Sequence, residues 1–252
     1  MYKKCYSTRL KNNKFKIHLW DEGGYDEIEW TNYAYKECTE DKSTHRGING
    51  EYLLKTNQWY KTDQNLHFHD IPPYQKFLIE KYGTDDAPST GHRELFFDIE
   101  CEIGGALTEE YIESAPMPIT SIAYWDKTPD KWVILILDRK NELSYKEIDG
   151  KEVIPVRTER DLLLKFIEQF REINPDILVG YNSDYFDIPY LYYRMCNVVG
   201  KDYANYLSPI NKVNAKKNNQ YFFKQNQYVD IVGVESLDYI RLHKKYHWKD
   251  EP

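Results

Sequence analysis

Between residues 94 and 199 the spacing of the apolar residues switches from alternation to a three-or-four repeat, and that switch limits the fold class more than any other feature of the chain. ELFFDIE, PITSIAYWD and KWVILILD read as strands, the last two parted by the turn-like KTPD. In ERDLLLKFIEQFREI, the residues Leu162, Leu163, Phe166, Ile167, Phe170 and Ile173 recur at helical spacing, with Thr158 as N-cap and Asn174-Pro175 as the stop. ILVG reads as a short buried strand, and DIPYLYYRMCNVVG as a helix with Pro189 in its first turn and Gly200 just past its end.

Strand, strand, strand, helix, strand, helix is the order of a ribonuclease H-like α/β fold, a mixed sheet with helices. Ahead of it, KFKIHLWDEGGYDEIEWTNYAY offers two strand-like runs around Gly23-Gly24, a hairpin pattern. A polar, weakly patterned stretch follows, and IPPYQKFLIEKYGTDDAPSTGHR ends in a turn-rich linker. The expected boundary falls near residues 84–93. It separates a smaller, strand-rich N-terminal domain at 1–89 from an α/β domain at 90–252.

At 252 residues, with 41% hydrophobic and 15% aromatic residues including 23 tyrosines, the chain has the material for a real core. This composition argues against a disordered chain. Cys5, Cys38, Cys101 and Cys196 have no paired spacing, which argues against a zinc site or a disulfide framework and for a reducing, cytoplasmic setting. The N-terminus lacks an apolar signal core, and no apolar run reaches membrane-spanning length, so no membrane association is expected. The net charge of −7 is unevenly spread: Lys+Arg against Asp+Glu is 13 and 14 over residues 1–90, 11 and 21 over 91–190, and 10 and 6 over 191–252. An acidic middle with a basic tail suits an enzyme that cuts nucleic acid with bound metal, although on charge alone ordinary solvated surface charge is the simpler reading.

The chemistry-bearing residues begin inside the first strand. In ELFFDIECEI, strand alternation points Asp98 and Glu100 to the same face. Two such carboxylates repel each other unless a cation lies between them or the face is an edge that meets water. A second constellation, NPDILVGYNSDYFDIP, sets Asn182, Phe186 and Asp187 where a buried strand passes into a helix, at the strand end where α/β sheets hold ligands. Alone, Asp187 could equally cap the helix.

FDIE at 97–100 and YNSDYFDIP at 181–189 resemble the first two exonuclease motifs of the family B DNA polymerases, D-x-E and N-x-x-x-F-D. LSPINK and VESLDYIRLHKKY add a likeness to the T-even phage type, over most of residues 90–249. The resemblance implies a metal-dependent 3′-5′ proofreading exonuclease acting on DNA phosphodiester bonds. Asp98, Glu100 and Asp187 are then its catalytic, metal-binding carboxylates, holding two divalent cations, Mg²⁺ or Mn²⁺. Asn182 would hydrogen-bond the 3′-terminal nucleotide and Phe186 would pack beside it, although core packing serves Phe186 as well. A family hairpin that helps separate primer from template corresponds to KVNAKKNNQYFFKQNQYVDI, with Asn218-Asn219 near the turn and Lys212, Lys216 and Lys217 among its basic residues. Lysines beside Tyr221, Phe222 and Phe223 suit single-strand binding, and an ordinary surface hairpin would look the same.

A third family motif, Y-x-x-x-D, is matched by YHWKD at Tyr246 to Asp250, a position too early in the family's order, so the domain is expected to be incomplete at its C-terminus. The implied partners are single-stranded DNA or a primer-template 3′ end, and a C-terminal polymerase part in the same gene product or a separate polypeptide. For a viral protein the location would be the host cytoplasm. The alternative is a catalytically inactive single-stranded nucleic-acid-binding module that keeps the exonuclease fold.

Overall fold

In the computed structural model, residues 1–59, 63, 65–102, 104–216 and 228–246 are described, and the chain divides into two units, Met1–Gly91 and His92–Pro252. In the first unit β1 (Tyr2–Arg9), β2 (Lys14–Asp21) and β3 (Gly24–Thr31) form an antiparallel meander. The β2–β3 hairpin turns on Glu22-Gly23, one residue earlier than the Gly-Gly pair predicts, because Asp21 faces Gly24 in the register. Gly24 takes φ 112°, a value that a side chain resists. The stretch after it, polar and weakly patterned, holds a second sheet: β4 (Ala34–Glu37), β5 (His45–Arg46), β6 (Tyr52–Thr56) and β7 (Leu66–His67), in the order β5-β6-β4-β7. Helix α1 (Pro73–Tyr82) adds Phe77 to a small core with Ile17 and Leu19.

The second unit runs β8 (Glu94–Cys101), α2 (Glu109–Ser114), β9 (Ile119–Asp126), β10 (Lys131–Leu137), β11 (Lys146–Ile148), β12 (Lys151–Val156), α3 (Glu159–Ile173), β13 (Ile177–Gly180), α4 (Asp187–Val198) and α5 (Lys201–Ala204). It ends with β14 (Val213–Lys216), β15 (Tyr228–Ile231), β16 (Glu235–Asp238) and α6 (Tyr239–Tyr246). Seven strands make one mixed sheet in the order β11-β12-β10-β9-β8-β13-β16, and β14 pairs with β15 as a separate antiparallel ribbon.

The periodic segments fold as their sequence predicts. Thr158 caps α3 by accepting the Asp161 N–H, and Asn174 ends it in the left-handed region at φ 47°. The α3 stripe Leu162, Leu163, Phe166, Ile167, Phe170 and Ile173 is buried, and packs in one core cluster with Leu95, Phe97 and Ile99 of β8 and Ile122 and Tyr124 of β9. Burial of each large apolar side chain contributes roughly 1.5–3 kcal/mol. Strand alternation therefore turns Phe96, Asp98 and Glu100 to the face of the sheet away from these helices. Among the described residues no helix is long and apolar enough to cross a membrane.

Candidate active site

β13 is parallel to β8 but pairs with it only as far as Val179 opposite Phe96. On its other side it pairs with β16 as far as Gly180 opposite Asp238, and beyond that the chain leaves the sheet, turns through residues 181–186 and enters α4. The turn is tight: the Asn182 carbonyl accepts from the N–H groups of Tyr185 and Phe186, each at 3.1 Å, and the Ser183 carbonyl accepts from Ile188 at 2.9 Å. Asn182 sits in the left-handed region at φ 59°, a conformation that asparagine tolerates better than most residues. Gly180 is required just before it, since a Cβ there would lie 2.5 Å from the Ser183 Cβ.

The first residue of α4 is thereby delivered to β8. Asp187, only 4% exposed, accepts a hydrogen bond at 3.2 Å from the backbone N–H of Ile99, the residue between Asp98 and Glu100. Burial pushes the Asp187 carboxyl up to about 7, the nearby charges of Asp98 and Asp238 push the same way, and the Ile99 N–H opposes them. Asp98 is raised as well, first by burial and then by Glu100. Among the described residues, the ion pairs nearest in sequence, Arg139 with Glu102, Arg194 with Glu159 and Arg241 with Asp184, all use other carboxylates. The Ile99 contact brings Asp187 to the corner of Asp98 and Glu100, and among the described residues no cation is ion-paired with any of the three. As they stand, no three His, Cys, Asp or Glu side chains among the described residues converge closely enough to hold a metal ion.

Phe186 lies half-buried against the main core, its ring 5.4 Å from that of Tyr190, which suits core packing as well as a role beside a nucleotide. Tyr190 is itself fixed, donating to the Met117 carbonyl at 2.8 Å and accepting from the Met117 N–H at 3.1 Å. Lys212 stands at the base of the β14–β15 ribbon, where its carbonyl accepts from the Val232 N–H at 3.1 Å. Lys216 ends β14, opposite Tyr228. Lys217, Lys224, the Asn218-Asn219 turn and Tyr221, Phe222 and Phe223 lie outside the described residues, as do His247 to Asp250 of YHWKD. Tyr246, the first residue of that motif, ends α6 and is 70% exposed.

Sequence reasoning missed Asp238. Its carboxylate, 3% exposed, accepts the N–H groups of Asn182 and Ile240, both at 2.9 Å, and of Asp184 at 3.3 Å. It therefore caps α6 and braces the 181–186 turn at once. Asp184 is tied down in turn by the Ser236 hydroxyl and by Arg241 at 2.9 Å. The available signal was an aspartate directly before the amphipathic run YIRLHKKY, the ordinary mark of an N-cap.

Comparison with known proteins gives the family of the chain. The profile of the DNA polymerase family B exonuclease domain matches residues 53–249, so the likeness begins inside the first unit. The DNA-directed DNA polymerase of Escherichia phage RB69 is 29% identical over 90% of this chain, which spans 28% of that protein's length. The DNA-directed DNA polymerase of Enterobacteria phage T4 is 31% identical over 52% of the chain and 14% of its own length. A DNA polymerase of Pyrococcus glycovorans is 36% identical over 50% of the chain and 14% of its own length. The chain belongs to the family B DNA polymerases, and carries their exonuclease domain.

Proposed function

We propose that the chain is the N-terminal and exonuclease portion of a family B DNA-directed DNA polymerase, and that it performs metal-dependent 3′-5′ proofreading hydrolysis of DNA. The observation that carries this reading is the Asp187 carboxylate anchored on the Ile99 N–H, between Asp98 and Glu100. Strand order supports a ribonuclease H-like core. In β10-β9-β8-β13-β16 the first strand lies central, and the second, β9, alone runs antiparallel to the rest. Polymerisation, the activity named for the longer relatives, is assigned to a C-terminal part in the same gene product or a separate polypeptide.

Three hard oxygen ligands that repel one another fit Mg²⁺ or Mn²⁺, and they fit a soft thiophilic metal poorly. Asp98, Glu100 and Asp187 would hold two such ions, which when bound neutralise charge at the scissile phosphate and acidify a water. The chain's own groups set the rest. The Ile99 N–H orients Asp187, and Asp238 holds the turn from which Asn182 hydrogen-bonds the terminal nucleotide. Phe186, packed on Tyr190, flanks that nucleotide. Lys212, Lys216 and Lys217 attract the backbone of single-stranded DNA or a primer-template 3′ end. The competing reading, a binding module without chemistry, draws on the carboxylates' lack of close convergence.

A labelled oligonucleotide and Mn²⁺ titration separate the two. Asp98→Ala, Glu100→Ala and Asp187→Ala should each weaken Mn²⁺ binding and reduce 3′-5′ cleavage by about a hundredfold or more. Cleavage that survives Asp98→Ala would sink the assignment. Oligonucleotide binding with no metal-dependent cleavage by the parent chain, with or without a polymerase portion, would favour the module.

A further inference from the structure

On the sheet face away from α3, four side chains stand in one cross-strand row. Phe96 of β8 is paired with Trp125 of β9, Trp125 with Trp132 of β10, and Trp132 with Lys151 of β12. The rings of Phe96 and Trp125 lie 4.9 Å apart at 35°, and those of Trp125 and Trp132 are stacked at 5.2 Å and 9°. The Trp125 indole is fixed by its N–H, which donates to Asp130 at 2.8 Å. The stack ends in Trp132, which is 43% exposed and has the Lys151 ammonium 5.6 Å from its ring. Neighbouring Lys127 and Lys131 are engaged by Glu94 and Glu152, whereas Lys151 has no carboxylate within ion-pairing distance among the described residues.

Cross-strand aromatic pairing stabilises a sheet, and that explains why the rings touch. It does not explain an indole left open at the end of a rigid stack with an unneutralised cation over it. That pairing of a flat π-face with a positive charge is what a base and its phosphate require. Phe96, Asp98 and Glu100 also share this sheet face, so the row is continuous with the carboxylate corner. From Trp132 to Asp98 is two strands across and two residues along, about 12 Å from strand spacings. Opposite Asp98 and Glu100 stand the small Ala123 and Ser121, which leave the floor between them low.

We propose that the Phe96–Trp125–Trp132 stack is a binding platform for single-stranded DNA. A base upstream of the 3′ terminus continues the stack on the outer face of Trp132, and the exposed Lys151 side chain swings to its phosphate. The platform rests on the exonuclease reading for its direction, since the 3′ end is taken to lie at Asp98.

The test uses the full chain in metal-free buffer, with fluorescently labelled oligothymidylates, one long and one too short to span from Asp98 to Trp132. Trp132→Ser should weaken binding of the long oligonucleotide about fivefold or more and leave the short one unchanged. Trp132→Phe should restore most of the affinity. Lys151→Glu should weaken binding and flatten its salt dependence. Asp98→Ala is the control for the underlying reading: assayed separately with Mg²⁺ it should lose cleavage, and in metal-free buffer it should keep the Trp132-dependent affinity, so the two ideas fail separately. Unchanged long-oligonucleotide affinity in both Trp132→Ser and Lys151→Glu overturns the platform. If Trp132→Ser does not fold, Trp132→Phe and Lys151→Glu decide. Equal losses on single-stranded and duplex DNA overturn the stacking mechanism. Self-association lost in Trp132→Ser with oligonucleotide affinity intact assigns the row to a second copy of the chain instead.

Discussion

Asp187 is a buried carboxylate, and its titration gives a direct experiment. Its carboxyl stands at about 7 in the folded chain against an ordinary 3.8, so between those values the fold holds a proton that the unfolded chain has released. The resulting stabilisation is complete below the lower value and gone above the upper one. Metal-free chain should therefore lose stability as pH rises through that window, by an amount on the order of a few kcal/mol. Asp187→Asn, which cannot ionise, should show a flatter profile and be the more stable of the two at pH above the window. Urea titrations of both proteins across the window check this, and matching slopes would refute it. Mg²⁺ should stabilise the parent above the window and do little below it, where protons compete for the same oxygens. The closeness of Asp187 to Asp98 could be anticipated from the two motifs. Its hydrogen bond to a backbone amide 88 residues away could not, because a main-chain donor leaves no mark in the sequence.

At the scale of elements, the segments that were legible were those whose pattern is enforced by a core. β8, β9, β10, α3 and α4 each bury a periodic set of apolar residues in the same cluster, and the short apolar run of β13 adds Leu178 to it, so pattern and fold agree. β11 and β5 escape such reasoning, since every residue in them is exposed and their strand form depends on a partner strand. Asp238 marks a joint between elements that pattern cannot reveal. Asp238→Ala would strip the partner from the Asn182 and Ile240 N–H groups and cost about 1–3 kcal/mol, read by chemical denaturation. It should also slow cleavage while sparing Mn²⁺ affinity more than Asp187→Ala does; equal loss of metal binding would make Asp238 a ligand. A second joint is the Arg194–Glu159 pair, two hydrogen bonds at 2.7 and 2.6 Å, with Glu159 also accepting from the Ile119 N–H. Arg194→Met leaves Glu159 mostly buried without its cation, and should destabilise by about 3 kcal/mol without touching the carboxylate corner.

For the whole molecule, the division of buried apolar residues says which part should stand alone. One cluster draws only on residues up to Tyr82, centred on Ile17, Leu19 and Phe77, and the other only on residues from Leu95 onward. Residues 85–93, between α1 and β8, form no helix or strand. The sequence marks this segment by its Gly, Pro, Ser and Asp content, residues that favour turns over packed elements. Asp98, Glu100, Asp187, Asn182 and Asp238 all fall on the C-terminal side of it. Residues 92–252 expressed alone should therefore unfold in one cooperative transition. Their denaturant slope should be lower than that of the full chain, because the slope follows the surface exposed on unfolding. The Mg²⁺-induced rise in midpoint should match that of the full chain, since every proposed ligand is present. A fragment that unfolds without cooperativity would mean that the larger core depends on residues 1–91. A fragment that folds but has lost its Mg²⁺ response would place a metal-binding group in the first unit.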